Sequence, residues 1–129
     1  MQTVTYLEAI RQGIWEEMER DPNVLCIGED LCVYGGAFKI TAGMLDHFGP
    51  KRIVDTPICE SAIAGAAVGA GLMGLRPVAE MQFADFLACG FDQIVNFAAK
   101  CRFRWGAAVP LVIRGPAGGW RPRRPLPLA

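Results

Sequence analysis

Four short apolar runs, separated by longer segments, constrain the fold of this chain more than any other feature. They lie at residues 24–27, 52–57, 76–83 and 109–116, and none shows a regular alternation of polar and apolar residues. Such runs are typical of strands that are buried on both faces, as in parallel sheets. Because the segments between them have helical patterns, the sequence predicts an α/β fold, with a parallel β-sheet and helices on both faces.

The segment before the first run carries a clear helix signal. Thr5 is followed three residues later by Glu8, which is the spacing of a capping box. Apolar residues then recur at helical intervals, and they are Leu7, Ile10, Ile14 and Met18. We expect this helix to end before Asp21, which precedes a proline.

Three further helices are predicted between the runs. A short helix is expected within residues 40–50, a glycine- and alanine-rich helix from about Glu60, and a long helix over residues 85–105. One face of the long helix is apolar, with Phe91, Ile94, Val95 and Ala98. Strands and helices therefore alternate along the chain, which is the pattern of a parallel α/β sheet.

Polar residues collect where the predicted strands end. Glu29 and Asp30 follow the first run, residues 55–60 the second, residues 82–86 the third and residues 114–118 the fourth. In open parallel sheets, ligands bind at the carboxyl ends of the strands. The sequence therefore predicts that the four strand ends form a single cleft.

Glu60 is the most unusual polar residue of that cleft. Within residues 56–75 it is the only ionisable side chain besides Cys59. A helix start favours its charged form, whereas burial would favour its neutral form. From the residues alone, Glu60 is more typical of an ordinary acid at a helix start than of a catalytic group, and Phe83 and Phe86 are typical of core aromatics.

Small residues line the helix that follows Glu60. Ala62, Ala66 and Ala70 repeat every four residues, and Gly65 and Gly69 form a parallel row. Small side chains let a second backbone approach closely. The pattern fits tight packing within the chain and packing between subunits equally well.

Composition limits the classes of partner and site. The chain has 13 basic and 13 acidic residues and a net charge of zero, which argues against nucleic acid or a membrane surface as a partner. Five cysteines without a CxxC spacing, and a single histidine, His47, indicate reduced thiols and no metal site. Because the first residues also lack a secretory signal, we expect a cytoplasmic protein, with His47 as an ordinary surface or partly buried residue.

The last residues differ in character from the rest. Residues 121–129 contain three arginines and three prolines and no acid, so a regular helix or a central strand is not expected there. We therefore predict one domain over residues 1–120, followed by an extended, disordered tail over residues 121–129.

Six motifs in order carry a family resemblance. They are GED at residues 28–30, YGGAFKIT at 34–41, FGPKRIVDTPICE at 48–60, GLRPVAEMQFADF at 74–86, DQIVN and AAK within 92–100, and IRGP with GG within 113–119. In this set the chain resembles the β subunit of thiamine-diphosphate-dependent 2-oxo acid dehydrogenases. The likeness covers the N-terminal, transketolase-like pyrimidine-binding domain of that subunit, over residues 4 to about 119.

The resemblance implies roles for five residues in binding the aminopyrimidine ring of the cofactor. Glu60 would hydrogen-bond a ring nitrogen and take the catalytic role, and Phe86 would pack on the ring. Gln82 corresponds to a polar position near the pyrimidine, and Ile58 to an apolar wall. Glu29 corresponds to the acid on the cleft side of the GED motif.

The resemblance also implies cofactors, partners and a reaction. Thiamine diphosphate would be shared with an α subunit, which holds its diphosphate through magnesium, so no metal is expected on this chain. A second β subunit and a lipoyl acyltransferase core would complete the assembly, without nucleic acid or a membrane. The implied reaction is oxidative decarboxylation of a 2-oxo acid with acyl transfer to a lipoyl group.

Several departures and alternatives accompany this interpretation. The family continues with an active-site histidine segment and a second domain, whereas this sequence stops at residue 129. We therefore expect a truncated subunit that is inactive without an α subunit. A fragment of another thiamine enzyme, transketolase-like or deoxyxylulose-phosphate synthase-like, and a non-catalytic interaction module are the alternatives.

Overall fold

The computed structural model describes residues 3–117, and the predicted tail over residues 121–129 lies outside them. Four strands form one sheet in the order β2-β1-β3-β4, and every neighbouring pair is parallel. In chain order, the elements are α1 (Tyr6–Arg20), β1 (Val24–Gly28), α2 (Met44–Phe48), β2 (Ile53–Asp55), α3 (Glu60–Leu72), β3 (Arg76–Glu80), a 3-10 turn (Ala84–Ala88), a π-helical segment (Gln93–Ala98), α4 (Ala99–Trp105) and β4 (Val112–Arg114).

The first helix begins and ends as its sequence predicts. The Thr5 hydroxyl accepts a hydrogen bond from the Glu8 amide at 3.2 Å, and the Glu8 carboxylate accepts one from the Thr5 amide at 2.7 Å. This reciprocal pair is the predicted capping box. The last helical residue is Arg20, directly before Asp21.

The central strand β1 is buried on both faces, since all five of its residues are buried and successive side chains point in opposite directions. Leu25 and Ile27 pack against α3 in one core cluster, whose other buried members are Ile63, Ala64, Ala67, Ala79 and Met81. Val24 and Cys26 pack on the opposite side in a second cluster, with Met18, Leu31, Met44 and Ile53. The predicted α/β fold, with a parallel sheet between helical layers, is confirmed.

Two faces of the glycine- and alanine-rich helix α3 have different surroundings. Gly65 packs within the chain, since a Cβ atom there would lie 3.1 Å from the Gln93 amide oxygen. Ala62 and Ala66 are exposed, and a Cβ atom at Gly69 would meet no atom within 4 Å. Gly65 therefore serves packing within the chain, whereas Gly69, its partner in the predicted row, lies with Ala62 and Ala66 on an outward face (Ala62, Ala66 and Gly69) that stays open. None of the helices between residues 3 and 117 is both long and apolar enough to cross a membrane.

The prediction of one long helix over residues 85–105 is wrong for residues 85–90, whereas residues 91–105 are helical. The chain instead forms the 3-10 turn, then passes Gly90 and continues through the π-helical segment into α4. Gly90 lies against the first turn of α3, where a Cβ atom would be 3.2 Å from both the Glu60 carbonyl oxygen and the Ala64 Cβ. This close approach fixes the path of the chain at Gly90. The π-helical segment that follows is a rare conformation, found mostly as single turns within α-helices.

Candidate functional site

The strand order creates a crevice at the carboxyl edge of the sheet. The chain passes from β1 to β2 on one side and then crosses to β3 on the other side of β1, so the direction of winding changes between β1 and β3. Ligands of open α/β sheets bind at such a switch point. At this edge Gly28 pairs with Asp55 on one side and Glu80 on the other. A Cβ atom at Gly28 would lie 2.7 Å from the Glu80 carbonyl oxygen, so only glycine fits between these strands.

Glu29 follows β1 directly and is buried in the crevice. Burial raises the pKa of its carboxyl group above the usual range, and the negative charges of Glu60 and Asp30 raise it further. The interaction with Glu60 brings together two residues that are 31 positions apart in the sequence. This effect of Glu60 on the pKa of Glu29 is consistent with the prediction that the end of β1 and the start of α3 each place an acid in a common cleft.

Glu60 is the first residue of α3 and is partly buried. Cys59, the residue before it, makes no side-chain hydrogen bond to the helix start. The first turn is instead held from outside, because the Ser61 hydroxyl donates to the Cys89 carbonyl oxygen at 2.6 Å and Gly90 packs against the Glu60 carbonyl. The amide groups of a helix start favour negative charge nearby, so the backbone here suits a carboxylate.

An aromatic row lies beside the crevice and consists of Phe38, Phe83 and Phe86. The rings of Phe83 and Phe86 meet edge to face, with centroids 5.9 Å apart, and Phe38 approaches Phe83 in the same way at 6.0 Å. Phe83 is 36% exposed and Phe86 39% exposed, and neither belongs to a core cluster. The interpretation of these two as core aromatics is therefore wrong, and their rings offer flat apolar surface to solvent.

Gln82 lies between the third strand and the aromatic row. Its side-chain amide donates to the Asp30 carboxylate over 3.4 Å, which is a long hydrogen bond. This contact joins the ends of β1 and β3, on the two sides of the switch point. The amide oxygen of Gln82 has no protein donor among the hydrogen bonds of the described residues, so it is free to accept one from a ligand.

The segment between β2 and α3 forms another side of the crevice. The Thr56 amide donates to the Gly28 carbonyl at 2.9 Å, and the buried Thr56 hydroxyl has no partner within residues 3–117. Ile58 is 82% exposed and contributes an apolar side chain to solvent in this isolated chain. Ile58 is therefore the side chain of this segment that is open to contact with a ligand.

A buried ion pair at the same edge is not evident from the sequence. Glu80, the last residue of β3, pairs with Arg114 of β4, and Glu80 is only 4% exposed. The signal was present, because an acid within an apolar strand is seldom fully buried without a partner. Finding that partner requires the sheet order, since β3 and β4 are separated by more than 30 residues of sequence.

His47 lies away from these residues, on α2. Its ring stacks on Trp15 at 4.7 Å, and its Nε2 is 2.5 Å from the Glu19 carboxylate. These contacts fit the interpretation of His47 as an ordinary partly exposed residue that joins α1 and α2. Between residues 3 and 117, no group of three or more histidine, cysteine or acidic side chains is arranged to hold a metal ion.

Together these residues suit a flat, nitrogen-containing ring. Exposed aromatic rings favour offset or edge contacts with another flat ring. Carboxyl groups at Glu29 and Glu60 differ in environment, and burial favours the protonated form of the first. Such a pair can both accept and donate hydrogen bonds to ring nitrogens and amino groups.

The chain matches one family model, described as "Transketolase, pyrimidine binding domain", over residues 2–121. The match includes every strand and helix of the described fold.

Named relatives agree with that match. The chain is 49% identical over 123 residues to "2-oxoisovalerate dehydrogenase subunit beta" of Bacillus subtilis (strain 168), covering 92% of this chain and 37% of the relative. It is 50% identical over 117 residues to "Pyruvate dehydrogenase E1 component subunit beta" of Rickettsia conorii, covering 89% and 36%. It is 47% identical over 117 residues to the mitochondrial protein of that name from Bos taurus, covering 89% and 33%. The chain thus spans about a third of the length of the curated relatives it matches.

Proposed function

Because the chain belongs to the transketolase pyrimidine-binding domain family, we propose that it holds the aminopyrimidine of thiamine diphosphate in a 2-oxo acid dehydrogenase. The relatives named above are β subunits of dehydrogenases for pyruvate and 2-oxoisovalerate, which favours a dehydrogenase over another thiamine enzyme or an interaction module. Identity is similar to both kinds of relative, so the substrate is proposed only as a 2-oxo acid.

The observation that carries the proposal is the position of Glu60. It begins α3 at the carboxyl edge of the sheet, and its charge, after burial, helps to raise the pKa of Glu29 at the end of β1. A carboxyl group held there can share a proton with a ring nitrogen, in a setting partly shielded from water. When bound, thiamine diphosphate supplies the nucleophilic carbon that attacks the keto group of the 2-oxo acid and lets carbon dioxide leave.

The other predicted residues orient the ring. Phe86 presents a flat surface on which a pyrimidine can pack. Gln82 offers a polar amide and Ile58 an apolar contact at opposite sides of the crevice. Glu29, whose pKa is raised, supplies a carboxyl group that stays protonated to higher pH and can donate a hydrogen bond.

Partners complete this half-site. We propose that an α subunit covers the crevice and holds the diphosphate through magnesium, and that a lipoyl acyltransferase core receives the acyl group. The exposure of Ile58, Phe83 and Phe86 supports this, because apolar side chains around a cleft are suited to cover by another surface. The outward face of α3 is the proposed contact with a second β subunit.

The test is co-expression of the full chain with a candidate α subunit, followed by a decarboxylation assay. We expect turnover only in the presence of the α subunit, and a loss of about 10²- to 10⁴-fold in Glu60→Gln, as for removal of a general acid–base group. Glu16→Gln, an exposed acid of α1 far from the crevice, is the matched control and should retain full activity. Turnover by the chain alone, or a fully active Glu60→Gln, would contradict the proposal.

A further inference from the structure

We propose that the Glu80–Arg114 ion pair positions the turn that carries Gln82 and Phe86, and so fixes the surface on which the cofactor ring packs. The identity of that ring rests on the function proposed above. The role of the ion pair in holding the turn rests on separate observations of the sheet edge.

The pair joins the carboxyl ends of two neighbouring strands in the interior. Glu80 ends β3 and Arg114 ends β4, and the two residues are also register partners in the sheet. The arginine side chain is 15% exposed and the glutamate side chain 5% exposed. Removing one partner of such a pair leaves a buried charge without compensation, which is far more costly than losing an exposed ion pair.

Backbone contacts connect the pair directly to the turn. The amide of Met81 donates to the Arg114 carbonyl oxygen at 2.8 Å, so the chain leaving β3 is bound to the residue that carries the guanidinium. Three residues further, the Ala84 amide donates to the Pro116 carbonyl oxygen at 3.0 Å. A Cβ atom at Gly115 would lie 2.9 Å from the Ala84 Cα, so the two segments lie in close contact. Residues 81–84 therefore move only if residues 114–116 move with them.

The carboxylate of Glu80 also faces the glycine loop after β1. A Cβ atom at Gly36 would lie 3.4 Å from Glu80 Oε1 and 3.4 Å from the Thr41 hydroxyl. Glu80 Oε1, Arg114 Nε and Arg114 Nη2 have no hydrogen bond of good geometry within residues 3–117, although Nη2 contacts the Glu80 carboxylate in the ion pair. When some hydrogen-bonding atoms of a buried ion pair have no partner, the attraction between the charges does little more than offset the free energy of removing them from water. Its position beneath the crevice, between three strand ends, fits a role in placing the turn.

Arg114→Lys and Glu80→Gln test the inference in the full chain, because each preserves size and removes the planar charge-paired contact. The first readout is hydrogen exchange at the Met81 and Ala84 amides, which should accelerate by about tenfold or more through local opening. The Arg76 amide, which donates to the Asn23 carbonyl at 2.9 Å at the other end of β3, should be unaffected. The matched control is Arg76→Lys, which alters the exposed pair with Asp21 at that end.

The second readout is a double-mutant cycle on thiamine diphosphate affinity, measured with the α subunit present. Phe86→Leu should weaken binding more in the wild-type background than in Arg114→Lys, because the ring is no longer held in place there. Equal effects of Phe86→Leu in both backgrounds, or acceleration of exchange throughout the sheet, would overturn the positioning role. If the wild-type pair of subunits binds no thiamine diphosphate, the proposed function fails, and the exchange at Met81 and Ala84 alone decides whether the ion pair holds the turn.

Discussion

At the scale of single residues, the sequence identifies acids more readily than their surroundings. Glu60 is conspicuous because residues 56–75 contain no other acid or base, and Glu29 because it follows an apolar run. What the sequence does not contain is the interaction between them, which depends on packing of α3 beside the end of β1. For the same reason the Glu80–Arg114 pair was missed.

The buried Glu29 should reduce stability at neutral pH. Its pKa is raised in the folded chain, so the folded state binds the proton more tightly than the unfolded state does. The free energy of unfolding therefore falls as pH rises from the ordinary glutamate pKa of about 4.3 through the raised value. Glu29→Gln does not titrate, so we expect it to be more stable than the wild type at pH 7, with the difference shrinking towards pH 4.

Glu8 should affect the pH dependence of the free energy of unfolding in the opposite direction, and Glu8→Gln measures this. The Thr5 amide and hydroxyl lower the pKa of Glu8, so the wild-type contribution is present above the ordinary pKa and disappears as pH falls through the lowered one. Urea unfolding of both variants between pH 3 and pH 8 measures the two trends. If Glu29→Gln is less stable than the wild type at pH 7, the charged Glu29 carboxylate stabilises the fold and the predicted cost of burying it is wrong.

At the scale of elements, local sequence signals predict where a helix begins more reliably than they predict the course of the chain through a long helical segment. The capping box at Thr5 predicts α1 correctly, because all of its contacts lie within four residues. The segment 85–105 has helical composition, yet it divides at Gly90 because the start of α3 lies against it. Such long-range contacts override helix propensity, and a sequence contains them only indirectly.

Gly90→Ala should therefore be destabilising although alanine is the better helix former. The added methyl group would lie 3.2 Å from the Glu60 carbonyl and from the Ala64 Cβ, and both must shift. We expect a loss of about 1–3 kcal/mol in the free energy of unfolding, as for overpacking. Weaker cofactor binding should accompany it, because the first turn of α3 carries Glu60.

Gly13→Ala is the matched control, since a Cβ atom there would meet nothing within 4 Å in the middle of α1. It should gain about 0.5–1 kcal/mol from helix propensity alone. Thermal or urea unfolding of the two variants measures the contrast. Equal stabilisation by both changes would mean that the contact between Gly90 and α3 is not tight.

At the scale of the whole molecule, strand number and direction are predictable whereas strand order is not. Short unpatterned apolar runs indicate a parallel sheet covered on both faces. The order β2-β1-β3-β4, which creates the crevice, depends on pairing between runs that are distant in sequence. Sequence analysis could therefore place acids at strand ends, but the identity of the neighbouring ends comes from the structure.

The outward face of α3 should mediate assembly. Ala66 is exposed, so Ala66→Leu is tolerated by the fold but would block close approach of a second helix. We expect at least about tenfold weaker association between β subunits, measured by sedimentation with the α subunit present, because helix contacts through small residues depend on that approach. Ala9→Leu, at an exposed alanine of α1, is the control and should leave association unchanged. Identical sedimentation of both variants and the wild type would exclude this face from the interface.

The function proposed for this chain depends above all on pairing of Glu60 with a ring nitrogen of thiamine diphosphate. The most direct measurement compares the affinity of the chain and its α subunit for thiamine diphosphate and for an analogue in which CH replaces that nitrogen. The wild type should prefer thiamine diphosphate by about tenfold or more, as for a charge-assisted hydrogen bond. Glu60→Gln should greatly reduce this preference. An equal preference in the wild type and in Glu60→Gln would show that Glu60 does not pair with the ring nitrogen.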